Sequence, residues 1–280
     1  GSQSVTISIL DDESVPRVTL TVSATSIAEN AGSSLTLTAT LSKTAAENVT
    51  VTLGTSGSAT EGTDYGSLSN ITVTAGSLTG TTTFTPTDDS LYDATSNETA
   101  TVSIDSVSGG DALENGTQSV TITITDNESA PTVTLSRSAA AIDENSSSTV
   151  TITATLSNAT YQDVTVSIGA SGGTEGTDYA TISDITISAG STTGTTSLDP
   201  TDDSVYEDDE TVTVTIDGVS GGSASESGSQ SVTITITENE SAPTVTLSVS
   251  ATSIAENAGT SLTLTATLSG ATDETVTVGI

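Results

Sequence analysis

The chain has 280 residues, 36 of them acidic against three basic (Arg17, Lys43 and Arg137), for a formal charge of −33 and no cysteine or histidine. Nucleic acid and anionic membrane surfaces repel such a chain, which leaves cations as its natural counterpart. Without Cys or His there is no disulfide, no Ser-His or Cys-His pair and no soft-metal site, so the sequence is read as that of no enzyme. Paired carboxylates alone could serve glycoside hydrolysis, but a sugar cleft wants aromatic walls and aromatics are 2% of the chain. No apolar run approaches the roughly 18 residues that cross a bilayer, so no membrane insertion is expected in this segment.

Taken in order, Val5-Thr-Ile-Ser-Ile9 alternates apolar and hydroxyl side chains, the pattern of a half-buried strand. The pattern returns at Val120-Thr-Ile-Thr-Ile124 and Val232-Thr-Ile-Thr-Ile236, which exposes an internal repeat. Pro16, Pro131 and Pro243 recur at spacings of 115 and 112, and so do Glu29, Glu144 and Glu256. Residues 1–13 read as the last strand of a preceding repeat, 14–128 and 129–240 as two complete repeats, and 241–280 as the N-terminal part of a further one. The whole reads as an excerpt from a longer array. The link Glu240-Ser-Ala-Pro243 is short, and its proline fixes one φ, so neighbouring repeats are expected end to end with limited bending.

Within the second repeat, alternation predicts seven strands near 132–136, 148–157, 163–169, 184–188, 193–199, 211–217 and 230–237, with Gly, Asn, Asp and Ser in the gaps. No segment holds a 3.6-residue apolar period, so essentially no helix is expected. Seven short antiparallel strands in about 110 residues is the arithmetic of an all-β, immunoglobulin-like β-sandwich. Its expected core is Val133, Leu135, Val150, Ile152, Leu156, Val164, Val166, Ile185, Ile187, Leu198, Val212, Val214, Ile216, Val232, Ile234 and Ile236. Threonines such as those of Thr211-Val-Thr-Val-Thr215 face outward as uncharged strand formers. An ice-binding solenoid would need a far shorter period than 112.

The acids are not spread evenly. Six of the ten residues 201–210 are carboxylates, with no cation among them. Calcium takes six to eight oxygens and can gather them from several loops at one end of a sandwich. Candidates in the second repeat are Glu144, Asp178, Asp202, Asp203, Glu207, Glu210, Glu238 and Glu240. Neither an EF-hand loop nor a Gly-Gly-x-Gly-x-Asp repeat is present. Glu61 and Glu175, which open the Glu-Gly-Thr-Asp-Tyr turns, are expected to be solvated, and Tyr65, Tyr92, Tyr179 and Tyr206 to pack beneath the acidic loops.

Ile-Asp-Glu-Asn, Glu-Gly-Thr-Asp-Tyr, Asp-Asp-Ser-Val-Tyr-Glu-Asp-Asp-Glu and the closing Thr-Glu-Asn-Glu, in that order and spacing, resemble the Calx-β domain. The family is known from the regulatory domains of the sodium/calcium exchanger and from large surface proteins. The resemblance implies tandem sandwiches that bind Ca2+ at one end, near the junction with the next repeat. It places ligands on Glu144, Asp178, Asp203, Glu207, Glu210, Glu238 and Glu240, and in the first repeat on Glu29, Asp64, Asp89, Asp93, Glu98, Asp126 and Glu128. Two departures are expected to matter. Asn127 and Asn239 interrupt the closing acids. Asp93-Ala-Thr-Ser-Asn-Glu98 replaces Glu207-Asp-Asp-Glu210, so the first repeat is expected to bind fewer ions or to bind them more weakly.

The expected function is therefore a calcium-stiffened stalk or filament segment of a large secreted or cell-surface protein of adhesin or matrix type. Its partners would be neighbouring repeats of the same chain, and other copies if it assembles into a filament. A glycan- or protein-binding module of an adhesin, a self-assembling extracellular filament subunit and a calcium sensor are the alternatives.

Overall fold

The computed structural model describes residues 2–8, 14–93, 97–257 and 259–280. The chain divides into two units, residues 1–129 and 130–280. The first holds β1 (Arg17–Val22), β2 (Ser26–Ala28), β3 (Leu35–Leu41), β4 (Val49–Gly57), β5 (Ile71–Val73), β6 (Thr79–Phe84), β7 (Leu91–Tyr92), β8 (Asn97–Ser108), β9 (Leu113–Glu114) and β10 (Ser119–Thr125). Two sheets, ordered β6-β3-β1-β9 and β2-β10-β8-β4-β5, make a sandwich. Period-2 alternation is the cause: β3 reads Leu-Thr-Leu-Thr-Ala-Thr-Leu and buries every second residue. Leu37 and Phe84 from one sheet meet Val51, Ile71, Val102 and Ile122 from the other in a single core.

The second unit repeats this plan. It has β11 (Thr132–Arg137), β12 (Ala141–Asp143), β13 (Val150–Leu156), β14 (Ala159–Thr160), β15 (Val164–Ser171), β16 (Ile185–Ile187), β17 (Thr193–Leu198), β18 (Val205–Tyr206), β19 (Glu210–Ser220), β20 (Ser225–Glu226) and β21 (Ser231–Thr237). The sheets run β17-β13-β11-β20 and β12-β21-β19-β15-β16. All seven strands expected from alternation are there, and of the sixteen expected core residues only Leu135 is half-buried, packed against the core's side. Tyr179 and Ile182 join that core from outside the strands.

One packing detail recurs. A Cβ on Gly80 of β6 would lie 2.4 Å from the Thr72 carbonyl of β5, and one on Gly194 of β17 would lie 2.5 Å from the Thr186 carbonyl of β16. Both glycines sit where the edge of one sheet meets the edge of the other, and the missing side chain permits that approach.

Two stretches depart from the sequence expectation. Residues 2–8 form no strand, and Val5 and Ile7 are 88% and 82% exposed, because alternation makes a strand only where a neighbouring ladder is there to pair with. Ile9, the last residue of that expected strand, lies outside the described residues. The third repeat contributes the hairpin β22 (Val245–Val249) with β23 (Leu264–Leu268), followed by β24 (Ala271–Thr272). Among the described residues no second sheet covers this hairpin, so Leu247 and Leu264 stay exposed.

Candidate metal centre

Three pieces of strand geometry bring the acids of each repeat to one end. The first is parallel pairing between strands far apart in sequence. Ala28 pairs with Thr125 and the Glu29 amide donates to the Thr125 carbonyl at 3.1 Å, so Glu29 and Asp126 leave the sheet side by side. Asp143 pairs with Thr237 in the same way, and the Glu144 amide donates to the Thr237 carbonyl at 3.0 Å, which sets Glu144 beside Glu238. The second is antiparallel register. Glu98 lies opposite Ile124 and Glu210 opposite Ile236, each two residues short of those closing acids.

The third is the Glu-Gly-Thr-Asp-Tyr turn. Asp64 accepts the Thr60 amide at 2.5 Å, and Asp178 accepts the Thr174 amide, each closing its own turn. The next residues, Tyr65 and Tyr179, are buried and bridge to Pro86 and Pro200. Tyr65 stacks on Phe84 with ring centroids 4.6 Å apart. The Thr87 and Thr201 amides then donate to the Asp64 and Asp178 carbonyls at 2.9 and 3.0 Å, joining each turn to the start of the acidic loop. Glu61 and Glu175 are exposed, as expected, but accept internal hydrogen bonds: Glu61 from the Leu68 amide and Thr55 Oγ1, Glu175 from Thr181 Oγ1. They belong to the turn. Tyr92 and Tyr206 are half-buried.

Backbone amides hold the loops against the carboxylates. In the second repeat Glu144 Oε1 accepts the Asp203 amide at 3.1 Å, Glu238 Oε2 the Glu207 amide at 2.6 Å, and Glu238 Oε1 the Glu240 amide at 2.7 Å. In the first, Asp126 accepts the Asp93 and Glu128 amides, both at 2.8 Å, and Glu29 Oε1 accepts the Asn127 amide at 3.2 Å. Asp89 and Asp203 each cap their own loop by accepting the amide two residues on. Residues 94–96, inside the first repeat's loop, lie outside the described residues.

The result is concentrated like charge. Oxygens of Glu29, Asp126 and Glu128 lie within 4.8 Å of one another, as do those of Glu144, Glu238 and Glu240. Glu128 Oε2 and Glu240 Oε2 are buried and accept no hydrogen bond. Burial, then side-chain contacts with Asp126 and Glu29, push the Glu128 carboxyl up to about 8. Burial and the neighbouring Asp64 raise Glu98 to about 7, and burial with Asp178 and Glu207 does the same for Glu210. Glu29, Glu144 and Glu207 are also raised, chiefly by burial. Glu238 moves the other way: burial opposes it, but the amides of Glu240 and Glu207 outweigh that and hold it low.

In each repeat one triad of the sequence-predicted acids brings its oxygens together, and the charges of the others act on their neighbours. Glu29, Asp126 and Glu128 form one, with Asp89 acting on Glu29; Asp64, Asp93 and Asp89 act on Glu98. Glu144, Glu238 and Glu240 form one with Asp203; Asp178 and Glu207 act on Glu210. Sequence reasoning missed Asp209, whose Oδ1 accepts the Glu238 amide at 3.0 Å, and Asp273, whose charge acts on Glu207. Asp209 stood in the acidic run but had no repeat counterpart to single it out, and Asp273 belongs to the next repeat.

Fold and site together define a tandem of β-sandwich repeats, each with an acidic crown at one end. Residues 11–128 match the Calx-beta domain, and residues 129–239 match the LapA domain. No curated protein sequence matches the chain. Among solved structures, CBD12 from CALX1.2 is similar at 14% identity and a TM-score of 0.37, covering 79% of this chain and 99% of its own. Invasin, a bacterial integrin-binding protein, is similar at 19% identity and a TM-score of 0.36, over 88% of this chain and 45% of its own. The Yersinia pseudotuberculosis adhesin InvE is similar at 13% identity and a TM-score of 0.32, over 78% and 58%.

Proposed function

We propose that the chain is a calcium-stiffened structural segment of a large secreted or cell-surface protein of adhesin type, in which each acidic crown holds Ca2+. The observation that carries the reading is the pair of buried carboxylate oxygens, Glu128 Oε2 and Glu240 Oε2, that face other acids and accept no hydrogen bond. A buried anion without a partner is costly and calls for a proton or a cation. The donor set is all oxygen, which fits calcium and not the metals that want thiolate or imidazole.

Glu144, Asp203, Glu238 and Glu240 would hold the ion in one group of the second repeat, and Asp178, Glu207 and Glu210 in the other. Their counterparts are Glu29, Asp89, Asp126 and Glu128, and Asp64, Asp93 and Glu98. A bound ion supplies the positive charge that lets these carboxylates stay ionised and close together. Extracellular calcium modules commonly have Kd values of about 10⁻⁴–10⁻³ M, compatible with standing occupancy outside a cell. The LapA and Calx-beta matches support the adhesin-type setting.

The test is thermal melting of the chain in calcium, in magnesium and in chelator. An ion that binds the folded state alone adds RT ln(1 + [L]/Kd), about 2.7 kcal/mol at a hundredfold excess over Kd. That is a rise on the order of 10 °C for a repeat of this size. The same midpoint in all three conditions would overturn the calcium reading.

A further inference from the structure

The turn that carries the chain from β9 to β10 reads Asn115-Gly-Thr-Gln118. Of the ten asparagines in the chain, Asn115 is the one followed by glycine. The main-chain nitrogen of the next residue is the nucleophile nearest an asparagine side chain, and a Cβ beside that nitrogen would hinder its approach. Gly116 takes φ +69°, and a Cβ built on it would meet nothing within 4 Å beyond its chain neighbours, so the turn is open. Asn115 and Gly116 are exposed, and among the described residues neither the Asn115 side chain nor the Gly116 N–H has a hydrogen-bond partner.

The fold fixes the rest of the turn. The Asn115 N–H donates to the Val18 carbonyl at 3.0 Å, and Gln118 Nε2 donates to the Asn115 carbonyl at 2.7 Å. The second bond bears on the chemistry: when Gly116 gives up its N–H proton, the charge spreads onto the Asn115 carbonyl oxygen, where a donor already sits. Gln118 Oε1 accepts the Leu20 N–H at 3.4 Å and so ties the turn to β1. The second repeat builds the same turn from Ser227-Gly-Ser-Gln230. There the Ser227 N–H donates to the Val133 carbonyl at 3.0 Å, Gln230 Nε2 to the Ser227 carbonyl at 2.6 Å, and Gly228 takes φ +71°. Ser227 has a hydroxyl where Asn115 has a carboxamide, so one molecule holds a reactive turn and its inert copy.

We propose that Asn115-Gly116 is a site of spontaneous deamidation, which loosens one sheet edge of the first repeat and spares the second. The Gly116 nitrogen attacks Asn115 Cγ, the Cγ–Nδ2 bond breaks, and the side-chain nitrogen leaves as ammonia with the proton that Gly116 gave up. The cyclic imide then takes up water, the only co-reactant. Breaking its bond from nitrogen to Cγ gives aspartate; breaking its bond to the main-chain carbonyl carbon gives isoaspartate, in which the chain runs through Cβ and Cγ. Isoaspartate lengthens the main chain between the anchor at Val18 and Gln118, so the turn no longer fits both of its ties to β1. The bond to Leu20, the longer at 3.4 Å, is the one that gives way.

The test ages the full chain at neutral pH and reads each asparagine by peptide mass spectrometry, with fragmentation that separates aspartate from isoaspartate. Asn115 should lose its carboxamide on the order of tenfold faster than any other asparagine, because its nucleophile is held alongside and unhindered. Both acids should appear, the mark of a cyclic intermediate. Hydrogen exchange at the Leu20 amide should quicken as Asn115 is consumed, while the amide of Leu135, which donates to Gln230 Oε1 at 3.3 Å in the second repeat, holds steady. Asn115→Ser, which copies the second repeat, should abolish both changes. Ageing that leaves Asn115 intact, or that gives aspartate without isoaspartate, would overturn the site. Conversion of Asn115 with Leu20 exchanging as it does in Asn115→Ser would overturn the loosening.

Discussion

Glu240 donates its backbone amide to Glu238 Oε1 at 2.7 Å while its own Oε2 is buried without a partner. Main-chain hydrogen bonds thus hold together two side chains whose charges repel. The consequence is an acidic cluster held together at the expense of stability, and a cation bound there would reverse that balance.

Replacing one of these acids should therefore do opposite things in the two conditions. In chelator, Glu210→Gln removes a charge facing Asp178 and Glu207 and should raise the melting midpoint by a few degrees, about 1 kcal/mol or less for a partly exposed pair. In calcium the same variant should lose part of the metal-dependent gain. Paired melts of wild type and variant check this; a variant destabilised equally in both conditions would point to a packing role for Glu210 instead.

The metal-free protein should weaken as pH rises. Glu98, Glu128 and Glu210 titrate near 7, 8 and 7 in the folded chain against 4.5 for the ordinary group. Between pH 4.5 and about 8 the folded state holds protons that the unfolded state has released. Stability is then highest near or below pH 5 and falls through pH 7–8 as those protons leave. Calcium competes with the same protons, so its affinity should rise over that interval. Chemical denaturation in chelator at pH 5, 6.5 and 8, repeated in calcium, reads both trends; greater metal-free stability at pH 8 than at pH 5 would contradict the assignment.

The first repeat should bind calcium more weakly. Asp93 stands where the second repeat has Glu207, and Asp126 where it has Glu238, so two of its ligands are a methylene shorter. Calorimetry on the chain should resolve two classes of site, with Asp203→Asn abolishing the tighter class and Asp89→Asn the weaker. Loss of the tighter class in Asp89→Asn would reverse the ranking.

Phe84, the sole phenylalanine of the chain, ties core to site. It is fully buried and stacks on Tyr65, the residue after Asp64. Phe84→Ala should cost about 3–5 kcal/mol of stability in the first unit. It should also weaken calcium binding there while leaving the second unit's binding intact, which two-transition calorimetry with and without calcium would show.

Alternation made the long strands and most of the core legible, because a half-buried strand carries its face in its own sequence. Ser26–Ala28 and Ala141–Asp143 escaped for the opposite reason. Each has three residues and one central apolar side chain, too few to show a period, and each finds its partner about 95 residues away. Yet these strands place Glu29 against Asp126 and Glu144 against Glu238. The ligand candidates could be read from repetition of acidic motifs, while the way they meet could not. Asp273 was illegible for a further reason: it acts across a repeat boundary, and comparing repeats by position shows only that it is not repeated.

Four of the five tyrosines, Tyr65, Tyr92, Tyr179 and Tyr206, each directly follow or precede an acid of the crowns, and the chain has no tryptophan. Tyrosine emission from this protein is therefore a native optical probe of its acidic ends. Excited near 275 nm it needs no label, and because nearby carboxylates quench a phenol, a change in emission on adding calcium that persists in Tyr161→Phe would report on those loops.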